Sequence, residues 1–312
     1  MEMEPLLTTI FVMGVMIAIG ALIGKRMPLT HDSRQLMITL IVNVGLPCII
    51  LHGLFQLPMT RELLLQIFIV FGLAFLLSCL GVFLGFCAAR LQGVSMKKAC
   101  EMAVVSGFGN TGTIGLPLCA ALFGPKGAVL AAVFDAGMDL CLWTLGVMLL
   151  QEKRRVTLAG LKSLVNIPMM AIVLGLLLAS LGLTPPPAPI KQLTATLAAI
   201  ASPMAMIYIG MLLFDYLRQK RPLAISRMGA PLGIKLAVYP IAAALLITIF
   251  PLSREIVQVV AVQVAMPTIA IAPIVFARYG ADEELAAMMT VFSTLLSLVT
   301  IPLVMMVNHM FL

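Results

Sequence analysis

Gly107-Phe108-Gly109-Asn110-Thr111-Gly112-Thr113-Ile114-Gly115-Leu116-Pro117 interrupts an apolar run that extends from Ala99 to Phe123. Four glycines and a proline in that stretch cannot sustain a regular helix, because glycine loses the most backbone entropy on ordering and proline removes a donor. Irregular backbone at membrane depth persists only where protein buries it or where it lines a wet cavity. Interruptions of this kind mark the binding sites of secondary carriers. Gly107, Gly109 and Gly112 also spell G-x-G-x-x-G, but that pattern signals dinucleotide binding only after a strand, inside a soluble βαβ unit. Here apolar spans lie on both sides and no alternating strand pattern precedes it, so the nucleotide reading is set aside.

Composition agrees with a membrane setting. The 312 residues are 62% hydrophobic and 11% charged, with a mean hydropathy of +1.12, against roughly 45–50% apolar and 25% charged in soluble domains. About 20 residues cross a bilayer, so ten spans joined by short loops use up the chain and leave no room for a soluble domain. The six cysteines (Cys48, Cys79, Cys87, Cys100, Cys119 and Cys141) fall in or beside apolar runs and form no C-x-x-C pair. They read as small buried hydrophobes, with neither a disulfide framework nor a zinc site. The 23 methionines read as adaptable helix packing. The N-terminus, Met1-Glu2-Met3-Glu4-Pro5, is acidic and lacks a basic n-region, so a cleaved signal peptide is not expected.

The expected fold class is an all-α polytopic membrane protein with ten transmembrane helices. The spans run over 6–24, 33–56, 62–89, 97–122, 127–150, 160–182, 190–217, 230–250, 254–277 and 284–308. Basic residues phase with the loops. One set of alternate loops carries Lys25, Arg26, Arg34, Arg90, Lys97, Lys98, Lys153, Arg154, Arg155, Lys162, Arg218, Lys220, Arg221, Arg227 and Arg278. The other set carries only Arg61, Lys126, Lys191 and Arg254. By the positive-inside rule the first set is cytoplasmic, which places both termini outside and the central basic loop in the cytoplasm. The net charge of +7 is explained by this bias, and nucleic acid is not an expected partner; the lipid bilayer is.

Five spans lie on each side of the basic linker 151–159, giving five-span halves at 1–150 and 160–312. An odd number per half makes similar halves inverted relative to each other. The fourth span of each supports that: Gly112-Thr113-Ile114-Gly115-Leu116-Pro117 in one, Ala265-Met266-Pro267-Thr268-Ile269-Ala270-Ile271-Ala272-Pro273 in the other. Matching interruptions in two halves are the best sequence pointer to a transport site. The second spans correspond loosely, through Asn43-Val44-Gly45-Leu46-Pro47 and Ala201-Ser202-Pro203-Met204.

Residues 110–118, Asn-Thr-Gly-Thr-Ile-Gly-Leu-Pro-Leu, resemble the signature of the auxin efflux carrier family. Phe134-Asp135-Ala136-Gly137, Ala265-Met266-Pro267-Thr268, Arg278-Tyr279-Gly280 and the last-span stretch from Ser293 to Pro302 are similar to further motifs of that family, so the likeness covers essentially the whole chain. Without the long central loop of plant members, the chain resembles bacterial relatives of the malonate, malate or lactate carrier type. The resemblance implies an inverted repeat with spans four and nine broken and crossing at mid-membrane, as in the bile-acid carriers. It implies a scaffold of spans one, two, six and seven, and a moving core of spans three to five and eight to ten. It also implies elevator-type transport of small organic anions, with no enzymatic activity. Two departures stand near the expected site: Ile269-Ala270-Ile271-Ala272-Pro273 where many members carry an Asn, and Asp139 where the fifth span often has Asn.

Candidate substrate-binding residues follow from the breaks. Asn110 offers an amide to a carboxylate, and backbone N–H groups freed between Thr111 and Gly115, including those of Gly112 and Thr113, can do the same at a positive dipole end. Pro117 and Pro267 shape the breaks without donating. In span nine the donors are the N–H groups around Thr268 and Ile269 and the Thr268 hydroxyl. Asn43 places a donor from the scaffold, or packs plainly. Asp135 and Asp139 lie four residues apart on one face of span five. Intramembrane carboxylates are expensive and usually functional. The pair suits a coupling site for H⁺ or Na⁺, or it bonds to backbone freed by the breaks. Lys235, the only lysine or arginine more than two residues inside a span, either snorkels, pairs with an aspartate or binds substrate. Tyr208 and Gln263 are further polar positions in apolar runs.

No cofactor is expected beyond a coupling ion. The histidines (His31, His52 and His309) are scattered, and neither H-E-x-x-H nor G-x-S-x-G occurs. Gly20-x-x-x-Gly24 and Gly81-x-x-x-Gly85 read as close helix contacts, with a homodimer seam as one use. Three other readings compete with a small-carboxylate carrier: a sodium-coupled carrier of larger amphipathic anions, an anion-binding receptor without transport, and an intramembrane enzyme.

Overall fold

The computed structural model describes residues 3–27, 29–151, 162, 165–218 and 225–311. The linker expected at 151–159 lies outside them except for Gln151. The described residues are helical, joined by short turns, and their only extended pairing is a single bridge between Gly109 and Thr268.

Helical segments occupy every expected range. They are α1 (Met3–Arg26), α2 (His31–Thr39), α3 (Leu46–Gln56), α4 (Arg61–Leu91), α5 (Met96–Gly107), α6 (Leu116–Cys141), α7 (Val147–Leu150), α8 (Ile167–Ser180), α9 (Ala188–Arg218), α10 (Ile225–Gly233), α11 (Tyr239–Ile247), α12 (Arg254–Val264), α13 (Ala272–Arg278) and α14 (Glu283–Phe311). Six stretches are long and apolar enough to cross a bilayer unaided: Asp32–Gln56, Arg61–Leu91, Thr111–Leu150, Ala188–Asp215, Met228–Ile247 and Glu283–Val304. Large apolar side chains such as Phe68, Phe83, Leu245 and Ile274 are more than half exposed. A water-soluble surface avoids that density, whereas hydrocarbon solvates it.

Local chemistry sets the ends of these helices. Thr30 accepts from the Ser33 N–H at 3.2 Å, and Asn166 accepts from the Met169 N–H at 2.8 Å, so both are N-caps. Gly124, at φ 64° and ψ −152°, kinks α6 immediately before Pro125. Only glycine takes that conformation cheaply, and the kink falls between the ranges expected for spans four and five. π turns link α2 to α3 (Leu40–Gly45), lead into α6 (Thr111–Gly115), link α6 to α7 (Leu142–Gly146) and link α10 to α11 (Ile234–Val238). Such turns concentrate at functional positions. Three of these four hold candidate residues: Asn43, the Thr111–Thr113 stretch and Lys235.

By contact the chain divides into two compact units. The first comprises Met1–Ile67, Gly112–Val133 and Asn166–Arg221. Its seam is α1 against α9, where Gly20 and Gly24 let the backbone approach Ile207 and Met211. The Gly20/Gly24 motif is therefore used within one chain. The second unit comprises Phe68–Thr111, Phe134–Val165 and Pro222–Leu312. Its core gathers Met102, Val105, Phe108, Met138, Phe276 and Met289, and Gly85 of α4 closes on Ala103 and Ser106 of α5.

Candidate functional site

The second unit holds the centre of interest. α5 stops at Gly107, and Phe108 turns extended at φ −97° and ψ 128°. Gly107 is pressed so closely on α4 that a Cβ there would lie 2.7 Å from the Val82 nitrogen, a position open only to glycine. The chain then runs extended for three residues, through Asn110. On the other side α12 ends at Val264, and residues 265–271 are irregular before α13 begins.

The two breaks satisfy each other. The Asn110 N–H donates to the Pro267 carbonyl at 2.7 Å, and the Ile269 N–H donates to the Phe108 carbonyl at 3.2 Å. Gly109 and Thr268 face each other between these bonds. Thr268 is fully buried. Its N–H donates to Ser293 Oγ at 2.9 Å, and its hydroxyl donates to the Val105 carbonyl at 2.9 Å. Thr268 thus caps the C-terminal end of α5 from the opposite break. Thr290 braces the same point by donating to the Ile269 carbonyl at 3.2 Å. Backbone freed by two interruptions has been given protein partners, as a low-dielectric setting demands.

This changes the expected division of labour. The Thr268 N–H, the Thr268 hydroxyl and the Ile269 N–H, expected as donors to a ligand, are all engaged inside the protein. Buried donors require such partners, and their bonding leaves the second break as a brace. Pro267 contributes its carbonyl, an acceptor rather than a donor. The first break differs. Asn110 is buried at 7% exposure, and its backbone N–H is tied across the pairing by the bond to Pro267. Thr111 is buried, and its hydroxyl donates to Asp135 of α6. That bond ties the half-buried Asp135 to the break itself. Asp139, one turn further along, is also half-buried.

Lys235 lies in the π turn between α10 and α11, fully buried, and Nζ has no hydrogen-bond partner among the described residues. A snorkelling lysine keeps its ammonium in water, so burial of this one rules that reading out. Nζ sits 4.8 Å from the centre of the Tyr239 ring.

Gln263 is buried in α12 of the second unit, and the remaining candidates belong to the first. Gly112 and Thr113 are half-buried in the π turn at the start of α6, and Pro117 is buried in the first turn of that helix. Helix therefore resumes at Thr111, ahead of the proline, because proline is tolerated in a first turn whose N–H groups lack partners anyway. Asn43 is exposed in its π turn. Tyr208 accepts from Arg34 Nε at 3.3 Å.

The sequence reading missed a clamp at the outer end of α5. Lys98 pairs with Asp282 and lies 3.2 Å from Glu101. The Asp282 N–H donates to Glu101 at 3.2 Å, and Lys97 donates to the Gly280 carbonyl at 3.2 Å. These bonds join the start of α5 to the turn between α13 and α14. The one signal available was Glu101, a carboxylate in an apolar run.

A family model described as membrane transport protein matches residues 3–305. The chain belongs to this family, the auxin efflux carriers. An uncharacterized transporter of Methanothermobacter thermautotrophicus is 23% identical over 291 residues, which is 93% of this chain and 94% of that protein. With the apolar helices, this makes the chain a multi-pass membrane protein of a transporter family.

Proposed function

We propose that the protein is a secondary or facilitative carrier of small organic anions, mono- or dicarboxylates of the malonate, malate, lactate or auxin-like class. The observation that carries this reading is the mutual pairing of two interrupted apolar helices through Asn110, Pro267, Phe108 and Ile269. A rigid fold has no need of two paired breaks, whereas a site exposed alternately to two sides does. The anion meets the first break, where the Asn110 amide and the Thr111 backbone supply donors. Thr268 and Ile269 hold that geometry from behind. Asp135 and Asp139 are the positions for a coupling H⁺ or Na⁺. The chemistry is translocation, without covalent catalysis and without a bound cofactor.

The architecture in this proposal is ten spans in two inverted repeats, 1–150 and 160–312, moving as an elevator. It is supported by the grouping of residues from spans one, two, six and seven in one compact unit, which also takes in Gly112–Val133. The clamp of Lys97 and Lys98 on Gly280 and Asp282 supports the loop phasing, since it joins two loops that the positive-inside count puts in the cytoplasm. Both termini are then outside, in the cell membrane.

The test is uptake of radiolabelled malonate, malate, lactate and indole-acetate into sealed proteoliposomes. Saturable uptake of at least one is expected. Ligand-induced stabilisation in detergent without any flux would replace the carrier with a binding-only role.

A further inference from the structure

We propose that Lys235 is the ammonium that receives a carboxylate of the transported anion, beside the first break. This rests on the carrier reading and deepens it. Three observations place the group. Lys235 has no exposed surface, and its Nζ is buried without a hydrogen-bond partner among the described residues. A Cβ built on Gly109 would lie 3.2 Å from that Nζ and 3.4 Å from Met266 Cβ. The ammonium is therefore set against the paired breaks, one residue from Asn110. The π turn Ile234–Val238 carries it there, and Tyr239 of the same stretch holds its ring 4.8 Å from Nζ.

The energetics leave this arrangement incomplete. An ammonium has three donors and no acceptor. Its burial is costly even after relaxation, and a cation–π contact returns only a part of that cost. Buried charges are retained where a partner of opposite charge completes them. A carboxylate does so with a charge-assisted hydrogen bond, and Asn110 next to it supplies a neutral donor for the remaining polar atoms. The absence of a side chain at Gly109 leaves Nζ in direct reach of the break. The ligand class is a small carboxylate, bound by a point charge and an amide.

Purified protein in detergent tests this independently of flux. Thermal unfolding is followed against malonate and lactate and against their neutral amides, malonamide and lactamide, for wild type, Lys235→Met and Lys235→Arg. Wild type is expected to be stabilised saturably by at least one acid and not by its amide. Lys235→Met should weaken the acid about tenfold or more, the loss expected for a hydrogen bond to a charged group, and remove the preference for acid over amide. It should also raise the midpoint without ligand, because an uncompensated buried charge has been replaced by a side chain of similar volume. Lys235→Arg should retain the preference for the acid. A lysine that merely supports the fold gives the opposite sign without ligand, so a lower midpoint for Lys235→Met overturns the proposal. Unchanged affinity for the acid in that variant also overturns it, as does a wild type that no carboxylate stabilises. If wild type binds the acid through Lys235 yet moves none across vesicles, the carrier reading fails and this one stands.

Discussion

The two breaks look alike in sequence and are built differently. The first is three extended residues, followed by a turn rich in hydroxyls and glycines. The second is seven residues long, and Thr268 is its only polar side chain. Thr268 gives both of its donors to the protein, one to Ser293 and one to Val105. On the proposed carrier reading, one interruption is the recognition element and the other is its brace. A symmetric pair of ligand-binding breaks would leave donors available on both sides.

The largest effect should come from the recognition side. Asn110→Ala is expected to reduce initial uptake per folded protein about tenfold or more, by removing a donor to a charged ligand. A variant that transports normally would break the comparison at once. Next comes the brace. Thr268→Val leaves the Val105 carbonyl without its donor and should destabilise the protein by about 1–3 kcal/mol, read as a lower unfolding midpoint in detergent. The KM of the folded fraction should hold.

Smaller still is Asp135→Asn. Its amide oxygen still accepts from Thr111, so stability should shift by about 1 kcal/mol or less. Dependence of uptake on an imposed pH gradient should disappear, and persistence of that dependence would remove Asp135 from coupling. The clamp should matter least. Lys98→Ala removes a partly exposed ion pair of about 0.2–1 kcal/mol, and that loss should shrink further in high salt. Were it to exceed the loss from Thr268→Val, the outer clamp rather than the second break would be the main brace.

Much of this was legible in the chain, for identifiable reasons. Gly107, Gly109 and Pro267 lie in apolar runs, at stretches whose helix-breaking residues mark an interruption. Gly81 and Gly85 announced the close approach of α4, which falls on α5. The π turns were not legible, because an extra residue in a turn leaves no composition signal. The clamp escaped because Glu101 and Asp282 are 181 residues apart and only the fold brings them together. The engagement of Thr268 escaped for a different reason. A threonine in a break looks equally suited to ligand or backbone, and Ser293 and Val105 decide the matter from distant helices. Lys235 was visible as an intramembrane cation, but its lack of a hydrogen-bond partner among the described residues depends on packing that no local pattern encodes.

The most direct test of the difference between the breaks is a paired kinetic measurement. Initial uptake into proteoliposomes is followed against substrate concentration for Asn110→Ala and Thr268→Val beside wild type, each normalised to folded protein. The account predicts that Asn110→Ala loses saturable uptake or raises KM about tenfold, while Thr268→Val keeps the wild-type KM. A normal KM in Asn110→Ala together with a raised KM in Thr268→Val would contradict it, and would move recognition to the second break.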